Sequence, residues 1–263
     1  MFYNTGMNRK TIKTSFINNH GQRLAALLDT PVDPPLFYAV FAPCFTCTKE
    51  SHGAAKICRE LAENGVAALR FDIAGLGESE GSVSDMNFTS RVDDILSACA
   101  FVTKEFEAPK LLIGHSISGT AVLSAAPRLP SLQAIATVGS PADPARVIEK
   151  FTRQNLIRDI GDGMIEIMVL GQPVPFKKTF INDLLAQTTA EDTAKIKQKL
   201  FIFHAPHDTI VSADEAKIIY GRATTDRELI MLDDAATHLF ETRKDDAAFV
   251  AQTLLGWFRT HLK

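Results

Sequence analysis

Leu111-Leu112-Ile113-Gly114-His115-Ser116-Ile117-Ser118-Gly119-Thr120 is the stretch from which the rest of the chain is read. A short apolar run breaks into small residues and then passes into an alanine-rich helical pattern, which predicts a strand, a sharp turn and a helix. A serine at such a turn is lifted off the sheet with its hydroxyl exposed. The strained backbone there tolerates only small residues two positions to either side, and Gly114 and Ser118 hold those positions. The common form of this nucleophile elbow is Gly-x-Ser-x-Gly; here a serine replaces the second glycine, and Gly119 follows one residue later. Taken alone, the pattern also fits an ordinary glycine-rich strand-to-helix turn.

The remainder of the chain bears on that choice. A serine hydroxyl is a poor nucleophile at neutral pH unless a histidine takes its proton, and that histidine needs a carboxylate to fix its tautomer and stabilise its cation. On parallel sheets the order is Ser, then Asp or Glu, then His. Asp208, in Phe203-His204-Ala205-Pro206-His207-Asp208-Thr209, follows an apolar run and is the expected acid. His238, in Asp233-Asp234-Ala235-Ala236-Thr237-His238-Leu239-Phe240, follows the last strand pattern and is the expected base. Singly, Asp208 reads as a turn or helix-capping residue and His238 as a surface histidine. Together with Ser116 they give three required residue types in the required order, each at the carboxyl end of a separate strand.

Other chemistry-bearing residues have simpler readings. His115 packs behind the elbow. His204 and His207 beside Asp208 lack the third and fourth ligands a metal site needs, so no metal is expected. The oxyanion of an acyl-transfer reaction needs backbone donors, and the expected pair is the N–H groups of Ile117 and Phe45; Pro43 has none to give. Cys44-Phe45-Thr46-Cys47 is formally a redox C-x-x-C but lacks the helix context that lowers a thiolate pKa. A reversible Cys44–Cys47 disulfide that distorts the oxyanion loop is a further reading. The four cysteines are otherwise expected to be mostly thiols serving as small core residues.

Outward from the elbow, Thr11 to Ile17 and Arg23 to Leu28 predict an antiparallel hairpin turned by Asn18-Asn19-His20-Gly21. Buried runs at 36–41, 66–71, 134–138, 200–203 and 228–232 then alternate with helical patterns, which predicts a parallel sheet. Phe88, Val92, Ile95, Cys99 and Val102 define one helical face, and Val250, Leu254, Trp257 and Phe258 another. The first ten or so residues read as disordered or as an extended start. Asp72-Ile73-Ala74-Gly75-Leu76-Gly77-Glu78-Ser79 lacks the lysine and spacing of a phosphate loop and reads as a tight structural turn.

The alternation breaks over residues 145–198, which predicts a small helical lid or cap with Phe151, Met164, Phe176 and Phe180 lining the substrate; two ordinary packing helices are the alternative. With 263 residues, 46% of them hydrophobic, a single domain spanning 1–263 is expected. The 28 basic and 31 acidic residues are interspersed, which disfavours nucleic acid or an anionic membrane as partner and favours a small molecule. The opening residues lack the apolar run of a secretory leader, and no later stretch approaches a membrane span, so a cytoplasmic protein is expected.

These pieces resemble the α/β-hydrolase superfamily from about Thr11 to Leu262. Within it, Phe45-Thr46-Cys47-Thr48-Lys49, Leu69-Arg70-Phe71-Asp72, Gly75-Leu76-Gly77-Glu78-Ser79-Glu80-Gly81 and Gly139-Ser140-Pro141-Ala142-Asp143-Pro144 resemble the hydrolases associated with, or fused to, OsmC-like domains. The resemblance implies an eight-stranded, mostly parallel sheet with helices on both faces, and a serine esterase of the carboxylesterase type acting through an acyl-enzyme without metal or organic cofactor. It also implies an OsmC-like protein as a partner, the chain being either a stand-alone member or one trimmed at Lys263. Thioester cleavage or perhydrolysis would use the same residues, and a non-catalytic binding module would share the fold. Two departures stand out: Ser118 at the elbow, and Pro43-Cys44 where a histidine-glycine pair commonly precedes the oxyanion donor.

Overall fold

The computed structural model describes residues 8–169, 171–232, 237–238 and 244–262. The expected extended start before residue 8, the apolar position Leu170, and the neighbours of His238 at 233–236 and 239–240 lie outside them. Strands β1 (Arg9–Ile17) and β2 (Arg23–Pro31) form the expected hairpin, with Ile12 opposite Leu28 and Phe16 opposite Leu24. Then follow β3 (Phe37–Ala42), α1 (His52–Glu63), β4 (Val66–Phe71), α2 (Phe88–Glu105), β5 (Leu111–His115), α3 (Ile117–Ala125) and β6 (Ala134–Val138). The insertion carries α4 (Ala145–Arg153), β7 (Ile157–Gly161), β8 (Met164–Val169), β9 (Gln172–Lys177), α5 (Thr179–Ala186) and α6 (Ala190–Lys195). The chain returns to the sheet with β10 (Lys199–His204), α7 (Asp214–Arg222), β11 (Arg227–Met231) and α8 (Lys244–His261).

The main sheet has eight strands in the order β1-β2-β4-β3-β5-β6-β10-β11. Pairing is antiparallel through β1, β2 and β4, and parallel from β4 to β11. The central strands are buried on both faces, and the period-two alternation of their side chains divides the core into two layers. Phe37, Ala39, Phe41, Leu111, Ile113, Phe201 and Phe203 face α1 and α8, where Ile57, Leu61, Val250 and Leu254 meet them. Val40, Leu69, Leu112, Ile135 and Ile202 face the opposite way, toward α2, α3 and α7. The face of α2 read from the sequence is buried throughout, from Phe88 at 3% exposure to Val102 at 0%. Asn87 caps that helix, accepting from the Ser90 N–H while the Ser90 hydroxyl accepts from the Asn87 N–H.

The expectation of a helical insertion is only half met. Helices α4, α5 and α6 enclose a three-stranded antiparallel sheet, β7-β8-β9, turned by Gly161-Asp162-Gly163 with all three residues at positive φ. Its inner face presents Ile165, Ile167 and Phe176 to the main core. Pro173 and Pro175 fall on the edge strand β9, where a missing N–H is tolerated. Among the described residues no helix is long and apolar enough to cross a membrane.

Candidate active site

Every strand of the parallel set ends toward one edge of the sheet, and the chemistry gathers there. Ser116 follows β5 directly at φ 56° and ψ −130°, a conformation that L-residues rarely adopt and that points to stored strain at a functional turn. Its N–H donates to the Val138 carbonyl at 2.8 Å. The small residues the elbow needs are Gly114 and Gly119: a Cβ on Gly114 would strike the backbone of 118–119, and one on Gly119 would strike the Ser140 hydroxyl. Ser118 is thereby relieved of the glycine's task, and its side chain points elsewhere.

Asp208 lies in the loop after β10 with its carboxylate fully buried. Its Oδ2 accepts from His238 Nδ1 at 2.6 Å, and its Oδ1 accepts from the N–H groups of Ile210 at 2.7 Å and Val211 at 2.9 Å. Burial pushes the Asp208 pKa upward, but the His238 hydrogen bond and charge and the two loop N–H groups outweigh it and hold the carboxyl below its usual range. The same loop is braced from behind and above. His204 donates from Nε2 to the Val211 carbonyl at 2.9 Å, and Lys150 on α4 donates to the carbonyls of Thr209, at 2.8 Å, and Ile210.

His238 is 8% exposed. His115 sits behind the elbow as expected, its Nε2–H donating to the His238 carbonyl at 2.7 Å, and burial followed by the nearby His238 charge lowers its pKa to about 3. Gly139 was not singled out as a site residue. At φ 57° a Cβ there would stand 3.1 Å from His238 Nδ1 and 3.4 Å from Asp208 Oδ2, so only glycine leaves the pair undisturbed.

Phe45 and Ile117 border the same cavity of about 840 Å³ that Ser116, Asp208 and His238 open into. Among the described residues no acceptor meets the N–H of either Phe45 or Ile117. Cys44 and Cys47, on either side of Phe45, form a disulfide with 5.0 Å between their Cα atoms, whereas Cys58 and Cys99 are buried thiols. Burial raises both thiols, Cys99 to about 12. The loop's far end is held by Lys49, whose N–H donates to Asp72 Oδ1 at 2.6 Å and whose Nζ donates to Asp72 Oδ2 at 2.7 Å. The turn from Asp72 to Ser79 thus has a structural task, and a side chain at Gly77 would collide with the Asp72 carboxylate.

Of the four expected lining residues only Phe151 borders the cavity. Phe176, at 0% exposure, and Phe180, at 3%, lie beneath the Phe45 ring, with centroids 5.6 Å and 5.7 Å from it; they hold that ring from below. Met164 stands at the start of β8, four residues and roughly 13 Å along the strand from Met168, and it is Met168 with Val169 that reaches the cavity. Val147 and Leu156 complete the apolar wall. Arg91, whose guanidinium touches the Phe45 carbonyl, carries one of two charges on the buried side of α2, the other being Asp94.

Comparison with known proteins bears on the fold and the family. The family model described as serine aminopeptidase, S33, matches residues 47–158. The esterase domain of a Rhodothermus marinus protein is 38% identical, with 95% of this chain and 98% of that one covered and a TM-score of 0.77. Est1E from Butyrivibrio proteoclasticus, solved with ferulic acid, has 19% identity, coverage of 94% and 100%, and a TM-score of 0.79. A serine hydrolase without lid from Xanthomonas campestris has 17% identity, coverage of 98% and 97%, and a TM-score of 0.66. At such identities these last two speak for the fold alone. No curated protein matches by sequence. With an esterase domain matched over nearly its whole length at this identity, the chain belongs to the α/β-hydrolase superfamily.

Proposed function

We propose that the protein is a serine hydrolase of the carboxylesterase type, cleaving a carboxylic ester or a related acyl bond through an acyl-enzyme. The observation that carries this reading is the 2.6 Å bond between His238 Nδ1 and the buried, ionised Asp208, opening on one cavity with a serine held at positive φ. Asp208 keeps the His238 proton on Nδ1 and leaves Nε2 free to accept. Ser116 Oγ attacks the substrate carbonyl as its proton passes to His238. The oxyanion forms against the N–H groups of Phe45 and Ile117, which need no reorganisation to receive it. Collapse expels the alcohol with the proton from His238, and water, deprotonated by the same imidazole, then releases the acid. The wall of Val147, Phe151, Leu156 and Met168 suits an apolar group.

Treatment with a fluorophosphonate is expected to label the protein stoichiometrically, with the adduct found on Ser116 by mass spectrometry. A folded protein that takes up no label would refute the hydrolase reading and leave ligand binding in the same cavity.

The disulfide bears on stability more than on turnover. Closing a four-residue loop contributes about 2 kcal/mol by chain entropy, and without it Arg91 still holds the Phe45 carbonyl and Arg70 the Lys49 carbonyl. Reduction by a phosphine is therefore expected to lower Tm by about 5 °C. The accompanying loss in kcat should be far smaller than the roughly 100-fold cost of losing an oxyanion donor. Thermal melts and initial rates before and after reduction check both numbers.

A further inference from the structure

Arg91 is a cation in an unusual place. It is 2% exposed on the inner side of α2, and among the described residues no carboxylate forms an ion pair with it. Burying a guanidinium so is costly unless its donors are filled, and here three backbone carbonyls, the Ser118 hydroxyl and the Met86 sulfur, 3.0 Å from Nη2, fill them, with the charge of the buried Asp94 nearby on the same helix. Nη2 donates to the Phe45 carbonyl at 2.8 Å, and Nη1 reaches the carbonyls of Pro43 and Cys44, both at 3.4 Å. Nη1 also donates to Ser118 Oγ at 2.8 Å, and that hydroxyl donates in turn to the Pro43 carbonyl. Three consecutive carbonyls of the oxyanion loop thus converge on one guanidinium, which is tied to the first turn of the nucleophile helix.

The direction of those carbonyls has a consequence for the donor. In a trans peptide the C=O and the following N–H point in opposite directions, and the described chain contains no cis bond. A Cys44 carbonyl turned toward Arg91 therefore turns the Phe45 N–H away from Arg91. The Phe45 carbonyl fixes the next peptide plane in the same way. One of the two sequence departures gains an account here: Ser118 supplies the hydroxyl that a glycine would lack.

We propose that Arg91, bridged through Ser118, is the positioning residue of the oxyanion site, fixing both peptide planes around Phe45 so that its N–H faces the substrate carbonyl oxygen. This rests on the hydrolase reading above. Because the donor acts only on the charge formed in the transition state, its misdirection lowers kcat and leaves KM in place.

The test compares Arg91→Met, Arg91→Lys and Ser118→Ala with the parent, using p-nitrophenyl butyrate as substrate and an alkyl trifluoromethyl ketone as a probe of the tetrahedral adduct. Arg91→Met is expected to lower kcat by about 10- to 100-fold with KM within about twofold. Ketone affinity should weaken in proportion, and the pH inflection of kcat/KM should not move. Arg91→Lys restores part of the loss, and Ser118→Ala shows the same signature at smaller amplitude. A kcat and ketone affinity within twofold of the parent would overturn the assignment, as would a fall in kcat with unchanged ketone affinity. Should Arg91→Met not fold, Ser118→Ala decides by the same readouts. Failure of the parent itself to take the fluorophosphonate would remove the hydrolase reading and this one with it, whereas a labelled parent with indifferent variants removes this one alone.

Discussion

Ser116→Ala is expected to lower kcat/KM by about 10⁵- to 10⁶-fold, with the residue left by the oxyanion donors and by binding alone. Among the described residues neither His115 nor the free thiols are placed to take over the attack: His115 is held neutral by burial and engaged with the His238 carbonyl, and Cys58 and Cys99 are buried thiols whose pKa values are raised. The measurement is kcat/KM on p-nitrophenyl butyrate, with fluorophosphonate titration to bound contamination by parent enzyme. A companion variant separates function from stability. Ser116 occupies φ 56°, where a Cβ is strained and glycine is not. Ser116→Gly is therefore expected to be as inactive as the alanine variant and more stable than the parent by about 1 kcal/mol. A thermal melt reads that gain directly, and a Ser116→Gly protein no more stable than the parent would mean that the turn carries no strain.

Much of this arrangement was legible in the sequence because it rests on local signals. The alternating runs fixed β3 to β6 and β10 to within a residue or two, and the elbow, Asp208 and His238 each stood just past a strand. What escaped was non-local or fell to competing patterns. In the insertion, Ile165, Ile167 and Val169 alternate with period two between glycine-containing turns, a hairpin signal set among Ile148, Phe151, Ile157 and Met164, whose spacings follow no single period. Phe176 and Phe180 were read as substrate contacts because lid aromatics suit a pocket; only tertiary packing against the Phe45 ring shows that they support the loop instead. Arg91 carried no motif, since its partners are backbone carbonyls 46 to 48 residues away in the chain. The need for glycine at 139 arises from His238, about a hundred residues further on, and so leaves no local signal.

Asp208→Asn is expected to lower kcat by about 10⁴-fold while leaving the fold and KM nearly unchanged. The loop decides which way the new amide faces. Oδ1 of Asp208 accepts from the Ile210 and Val211 N–H groups, a place only a carbonyl oxygen can fill, so the amide NH₂ of asparagine must take the position of Oδ2 against His238 Nδ1. A donor there forces Nδ1 to become the acceptor and puts the imidazole proton on Nε2, where it blocks acceptance of the Ser116 proton. Asp208→Ala differs in kind: it removes the acceptor for two loop N–H groups as well, so that variant loses stability along with activity. The carboxylate also sets an acid limit. Its folded pKa lies below the usual value, so its contribution to stability is present above the unfolded carboxyl range and is lost as pH falls through the folded value. Parent and Asp208→Asn melts should therefore diverge near neutrality and converge on acidification. Measured together, kcat, the fluorophosphonate labelling rate and Tm against pH distinguish the wrong tautomer from a collapsed loop: the asparagine variant loses the first two and keeps most of the third.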